Sequence, residues 1–505
     1  MSLNYNFIWL LCYLLVLVGL AGYGFHRLII DYLYWKNRNN KPQPKARFHE
    51  LPVVTVQLPM FNEKFVVDRL LESVAALDYP QDKLEIQILD DSTDDTTEQC
   101  YRKVEELKSL GFDAVCIHRT DRTGFKAGAL EAATKVAKGE FLLILDADFV
   151  PEPDLLQKTI HFFTDENVGL VQTRWGHINR EYNLLTRIQG MYLDGHFAME
   201  QTARNRSGRF FTFNGTAGIW RKCVIGDAGG WSHDTLTEDM DLSYRVQLKG
   251  WRFIYLNDVV TPAALPVAMD GFKSQQHRWT KGSSQVCQKI LLDIWRSNAP
   301  LKAKVEATTH LTCNYSYLLL ALLCFLVYPI CTQRIPENET VFMWFVNVAL
   351  FFMTSVAVCI FYLSAQIVVR PKSWWKELPY LPLLLTLSVG MAVNNAKAVL
   401  EAIFGHQSAF VRTPKYGVDR KEDRRHVSQL KRNGYRAIKS VVIPVLEIAC
   451  GTFFLNLIII MIRQGHYLSP ILMIPFLGFY YTGFCSLGRM ISNLLPAKQT
   501  AKAKN

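Results

Sequence analysis

The sequence has no charged residue between positions 2 and 25, none in 311–333 and none in 340–369. Gaps of that length exclude a wholly soluble protein. Cys-x-x-Cys never occurs, although the chain holds eleven cysteines, several of them inside apolar stretches. Neither a zinc site nor a disulfide framework is indicated, and buried free thiols are expected. No Lys or Arg precedes the first apolar segment, 7–25, and no small-residue cleavage site follows it. That argues against a removed signal peptide and for an uncleaved anchor. Its length is close to the roughly 20 residues a helix needs to cross a bilayer.

What is present is a soluble-looking stretch, 31–300, carried on apolar segments. The net charge of +11 is not a nucleic-acid signal, because much of it flanks those segments. Residues 27–47 hold six Lys/Arg against Asp31 alone, and 412–439 hold ten against three acids. Cytoplasmic flanks carry such excesses, which places the soluble part in the cytoplasm and the N-terminus outside. Five apolar stretches follow: 311–331, 341–366, 378–404, 441–462 and 467–488. If all five crossed, the basic 405–440 loop would lie outside. Segment 378–404 carries Asn394, Asn395, Lys397 and Glu401, groups costly in lipid. It is therefore expected to lie at the inner interface or to be re-entrant, leaving five true spans including the first.

In the soluble part, 53–59, 85–91, 114–119 and 140–148 read as buried parallel strands. Residues 64–77, 94–109 and 125–137 read as helices between them. That alternation gives an α/β sheet covered on both faces, with ligands expected beyond the carboxyl ends of its strands. Two strands end in acids: Asp90 and Asp91 in "LDDSTDDT", Asp146 and Asp148 in "LDADF". Asp94 and Asp95 read as turn or cap residues. Two carboxylates two residues apart after an apolar strand suit Mg²⁺ or Mn²⁺, which also keeps waters and substrate phosphates. Lys126 in "RTGFKAGAL" opens a helix, where it would favour phosphate. Glu238, Asp239 and Asp241 open another, with Thr237 as N-cap; alone, that is an ordinary dipole arrangement. The Gly- and aromatic-rich stretch before it, 210–231, suits a loop that approaches a sugar. The cluster "SQQHRWTKG" (274–282) reads, alone, as a charged face ahead of the membrane.

Taken together, "DD", "DAD", "TED" and "QQHRW", in that order and between apolar segments, resemble the membrane-integrated, processive family-2 glycosyltransferases. These include cellulose synthase, hyaluronan synthase and the plant cellulose-synthase-like mannan and glucan synthases. "LPMFNE", "FKAGAL", "FNGTAG" and "EDMDL" are closest to the mannan/glucan branch, and "FVRTPKYG" (410–417) resembles a gating-loop motif. The resemblance implies a GT-A type, Rossmann-like cytoplasmic domain inserted between transmembrane helices. It implies an inverting hexosyltransferase that uses UDP-glucose or GDP-mannose to extend a polysaccharide such as a β-1,4-glucan or mannan. The alternatives are transfer of one sugar to a lipid acceptor, as in glucosyl-diacylglycerol or glucosylceramide synthesis, and a non-catalytic nucleotide or sugar sensor.

Residue by residue, the resemblance places Phe61, Glu63 and Asp91 near the base and ribose, with Asp90 adjacent, and Lys126 on the diphosphate. Asp146 and Asp148 match the metal pair, Asp146 also touching the nucleotide. Asp239 matches the general base, with Glu238 beside it in catalysis and acceptor binding. Arg278 matches a catalytic cation, Gln275 and Trp279 the acceptor site, and Phe410, Thr413 and Lys415 the gating loop. Phe149 stands where bacterial cellulose synthase has a histidine. The implied partners are the donor, a polysaccharide or glycolipid acceptor and membrane lipid, with no nucleic acid. The implied location is an inner, plasma or Golgi membrane. The expected organisation is an anchor (1–30), a basic linker (31–50), the transferase domain (51–270) and interface helices (271–310). Two spans (311–369), an interfacial segment with the gating-type loop (370–440), two more spans (441–488) and a basic tail (489–505) follow.

Overall fold

The computed structural model describes residues 5–332, 349–350, 352–407, 441–464 and 472–494. At its centre is a seven-stranded sheet: β1 (Val54–Met60), β2 (Leu84–Asp90), β3 (Asp113–His118), β4 (Phe141–Ile144), β5 (Val168–His177), β6 (Gly218–Arg221) and β7 (Arg252–Ala263). The strand order is β3-β2-β1-β4-β6-β5-β7. The first four are parallel, β6 runs antiparallel to β4 and β5, and β7 is parallel to β5.

The period-2 alternation of strand side chains divides the core in two. Phe141 and Leu143 join the helices Val67–Ala75 and Thr96–Ser109 on one face. Leu142 and Ile144 join Phe125–Val136 and Glu238–Leu248 on the other. The four expected strands are all found, with two differences. Strand β3 is an edge, and its residues alternate between exposed and covered instead of being buried throughout. Strand β4 stops at Ile144, so Asp146 and Asp148 lie in the turn beyond it.

Four helical stretches among the described residues are long and apolar enough to cross a membrane: Ile8–Asn37, Leu301–Pro329, Phe352–Val369 and Val442–Arg463. Trp374–Gly390 and Ala392–Ile403 pass only as a pair, bent by 42°. That is the segment expected to be interfacial or re-entrant. Its polar half, including buried Asn394 and Asn395, packs against the long helix Met269–Arg296. The span expected at 467–488 is the helix Met473–Leu494, which is not among the four. Thr482, Ser486 and Arg489 give it a polar side that also meets Met269–Arg296.

Candidate active site

One cleft opens beyond the carboxyl ends of β1, β2 and β4, closed on its far side by Met269–Arg296. At the β1 end, Asn62 takes a positive φ of 55°. Its backbone N–H donates to Ser92 Oγ at 2.8 Å, and its side-chain oxygen accepts from Thr93 N–H at 2.8 Å. These bonds tie the Phe61–Glu63 turn to the end of β2. Asp91 is held by a two-pronged Arg119 contact, 2.8 Å and 2.6 Å. Arg119 also donates to the Phe125 carbonyl at 2.9 Å, pinning a loop in which Gly124 and Phe125 both have positive φ. That loop carries Arg122 over the Phe61 ring, 3.4 Å from its centroid.

The same loop delivers Lys126 to the centre of the cleft. Its Nζ donates to Asp146 Oδ1 at 2.6 Å and to the Gly215 carbonyl at 2.8 Å. Gly215 has φ +79°, and a Cβ there would lie 3.0 Å from Asp239 Oδ2 and 3.5 Å from Lys126 Nζ. The glycine is what lets ammonium and carboxylate approach. The Asn214–Ala217 loop is stitched to the metal-type turn: Asp146 N–H donates to Thr216 Oγ1 and Ala217 N–H to the Ile144 carbonyl, each at 2.8 Å.

Glu238 and Asp239 start their helix as expected, but Thr237 only occupies the cap position and makes no side-chain capping bond. Thr237 is instead packed against Gly282, where a Cβ would lie 2.5 Å from its Cγ2. This contact sets Arg278, one turn earlier, among Glu238, Asp146 and Asp239. Burial raises the Asp239 carboxyl to about 7; Glu238 adds to the rise, while Lys126 and Arg278 oppose it. Burial also lowers the Arg278 guanidinium, against the three acids.

The remaining wall is aromatic. Trp279 packs with Leu193, Phe197 and Leu265. Trp175 stacks on Phe197 at 4.5 Å and meets the edge of Phe149 at 5.1 Å. Its buried Nε1 makes no hydrogen bond among the described residues.

Residues 52–282 match the family model described as "Glycosyltransferase like family 2". Two plant proteins are also similar, in keeping with the resemblance read from the motifs. The chain is 41% identical over 286 residues to Glucomannan 4-beta-mannosyltransferase 2 of Arabidopsis thaliana, covering 54% of this chain and 53% of the relative. It is 40% identical over 277 residues to Glucomannan 4-beta-mannosyltransferase 1 of Oryza sativa subsp. japonica, with the same 54% and 53% coverage. The chain thus spans about half the length of the curated relatives it matches. In fold it is similar to a mannosyltransferase from Pyrobaculum calidifontis, solved with GDP-Man and Mn²⁺. That likeness has a TM-score of 0.55 and 20% identity, covering 78% of this chain and all of the other.

The cleft brings together Phe61, Glu63, Asp91, Lys126, Asp146, Asp148, Glu238, Asp239, Gln275, Arg278 and Trp279. Asp90 is not in its wall. It is fully buried, accepts from Ser92 N–H at 3.1 Å and Thr97 Oγ at 2.7 Å, and lies 2.7 Å from His118 Nδ1. Phe410, Thr413 and Lys415 lie outside the described residues. Sequence reasoning missed Arg119, Arg122, Trp175, His177 and Asn214. Asn214 was legible as part of "FNGTAG" and Arg122 as part of "RTGFKAGAL"; the others come from single residues with no local pattern. Asn214 Nδ2 lies 3.1 Å from His196 Nε2, and His196 Nδ1 lies 3.1 Å from Glu200 Oε2. Burial, reinforced by Arg204 and Arg27, lowers His196 to about 3, so its ring is neutral and holds Asn214 by hydrogen bonding.

Proposed function

We propose that the chain is an inverting β-mannosyltransferase that transfers mannose from GDP-mannose to a growing polysaccharide at a membrane. The observation that carries the reading is the convergence of one carboxylate raised toward neutrality, Asp239, with Lys126 and Arg278 in the family-2 cleft. The plant relatives, named as 4-beta-mannosyltransferases of glucomannan, support the sugar and the β-linkage.

Asp239 takes the proton of an acceptor hydroxyl. The oxygen attacks the anomeric carbon of the α-linked donor from the opposite face and expels the nucleoside diphosphate, giving a β-linkage in a single displacement. A carboxyl titrating near 7 is ionised often enough to accept that proton and basic enough to hold it. Lys126 and Arg278 meet the negative charge that develops on the leaving diphosphate. Trp279 and Trp175 line the wall that would meet the acceptor's terminal sugars.

Asp146 and Asp148 fit a hard divalent cation. Among the described residues no group of three or more His, Cys, Asp or Glu could hold a metal, so diphosphate oxygens and water would complete the shell. Bound there, Mg²⁺ or Mn²⁺ would supply charge to the leaving group. The neighbour solved with GDP-Man and Mn²⁺ is in keeping with that choice.

The five-span topology with a cytoplasmic domain, and the acceptor as polymer instead of lipid, belong to this proposal. The test is to offer the full chain in detergent GDP-mannose, UDP-glucose and UDP-N-acetylglucosamine separately, with Mg²⁺ or Mn²⁺. GDP release with an alkali-stable, mannanase-sensitive polymer is expected. A single-sugar lipid product, or no product from any donor, would overturn the reading.

A further inference from the structure

Helix Met269–Arg296 has two working faces. Gln275, Arg278 and Trp279 line the cleft, and Gly282 seats Thr237 beside it. Asp270, Lys273, His277 and Lys281, spaced three or four apart, form another stripe turned well away from the first. Every member of that stripe is paired with the membrane-side helices. Lys273 is 4% exposed and Glu447 is fully buried. The Lys273 ammonium donates to Glu447 Oε2 at 2.5 Å, Ser486 Oγ at 2.8 Å and the Thr482 carbonyl at 3.1 Å. All three of its N–H bonds are thereby used, by two different helices. Arg489 lies 2.7 Å from Asp270, and Glu401 lies 3.1 Å from Lys281 and 3.2 Å from His277. Asn394 Nδ2 donates to the Lys273 carbonyl at 3.2 Å.

We propose that the Lys273–Glu447 pair is a positioning clamp, through which Val442–Arg463 and Met473–Leu494 fix the rotation and height of the Gln275–Trp279 face in the cleft. Lys273 and Glu447 are positioning residues, and neither lines the cleft. A hydrophobic bundle would hold the helix in place but would let it turn or slide. A buried ammonium with three fixed acceptors permits one setting. The arrangement also ties the acceptor wall of the cleft to helices of the membrane part, so movement in one alters the other.

The proposal rests on the transfer reading of Gln275, Arg278 and Trp279, and its test separates the two. Three full-length variants are compared with the parent: Lys273→Met, the double Lys273→Met/Glu447→Leu, and Lys273→Arg. The double variant removes both charges and strands neither, so it is expected to fold even where Lys273→Met does not. It should bind GDP and show a donor KM within about twofold of the parent, while kcat falls roughly tenfold to a hundredfold, as misplacement of positioned groups does. Its glycan should be shorter, and Lys273→Arg should restore most of kcat. Hydrogen exchange across 274–282 should quicken in the double variant. Parent-like kcat and chain length in the double variant would overturn the clamp. So would a rise in donor KM together with falls in kcat and melting temperature. If the parent forms no glycan from any donor, the transfer reading fails, and unchanged exchange across 274–282 would then overturn the clamp by itself.

Discussion

The two faces of helix Met269–Arg296 handle buried charge in opposite ways. Toward the cleft, Arg278 faces three acids, two of which, Glu238 and Asp239, crowd each other, and Asp239 is pushed up to about 7. Toward the membrane helices, Lys273, Lys281 and Asp270 each meet an opposite charge within 3.1 Å. Paired charges are consumed by the scaffold. Crowded like charges are relieved by a proton, a cation or a cationic side chain, so that face is the one prepared for chemistry. The contrast assigns the two stripes of one helix to different duties without reference to any relative.

Breaking the cleft side at its centre should have the largest effect. Asp239→Asn should lower transfer by about 10²–10⁴-fold, the usual worth of a general base, while GDP binding measured calorimetrically is retained. Near-normal turnover would remove Asp239 from that role. The pH dependence sharpens the same point. Transfer should rise with pH up to about 7 and then level, because protonated Asp239 cannot accept a proton. Any residual rate of Asp239→Asn should lack the inflection. Stability runs the other way. A carboxyl whose folded pKa lies above its unfolded value stabilises the fold while protonated, and that contribution is lost as pH rises through the folded pKa. The loss begins near the unfolded value and is complete above about 7, so Asp239→Asn should gain more melting temperature over the parent at pH 8.5 than at pH 5; an equal gain at both would contradict a raised pKa.

A smaller effect is expected where the two faces are joined. In Gly282→Ala, the added methyl meets Thr237, and kcat should drop about tenfold with GDP affinity kept, since the turn bearing Glu238 and Asp239 must shift. Trp279→Ala should raise the acceptor concentration needed for half-maximal rate by about tenfold, in line with a lost aromatic contact of ~0.5–1.5 kcal/mol; a collapse of GDP affinity would show the indole misassigned. The smallest effect on turnover is expected at Asp90→Asn. Its partners are Ser92, Thr97 and His118, not the cleft, so stability should fall by about 1–3 kcal/mol while kcat stays near the parent's.

Much of the cleft was legible because its residues end strands or open helices, positions that hydrophobic patterning locates well. Asp146 and Asp148 follow an apolar run, and Glu238 and Asp239 follow a turn-rich stretch. Asp90 shows the limit of that logic. It shares a strand end with Asp91, yet the strand's alternation turns one carboxylate inward and the other toward the cleft. The half of the sheet beyond β4 was not foreseen: β6 is four residues long and carries no pattern of its own, and the longer β5 and β7 were not read as strands. The clamp was invisible for another reason. Lys273 and Glu447 are 174 residues apart and meet only when the membrane helices pack. The polar residues of 378–404 were read as unsuited to lipid, but not as partners of Met269–Arg296.

The antiparallel insertion of β6 next to β4 carries a consequence for how the protein matures. The Asp146 turn and the Gly215 loop are neighbours only because β6 begins where β4 ends, and the hydrogen bond joining them closes 70 residues of chain. Until that long-range pairing forms, Lys126 lacks one of its two acceptors and the diphosphate site is half built. Under the proposed function, donor nucleotide would bind only a chain whose sheet is complete. At cellular concentration it would act as a late ligand of folding, drawing newly made protein toward the native state by mass action before the first sugar is transferred.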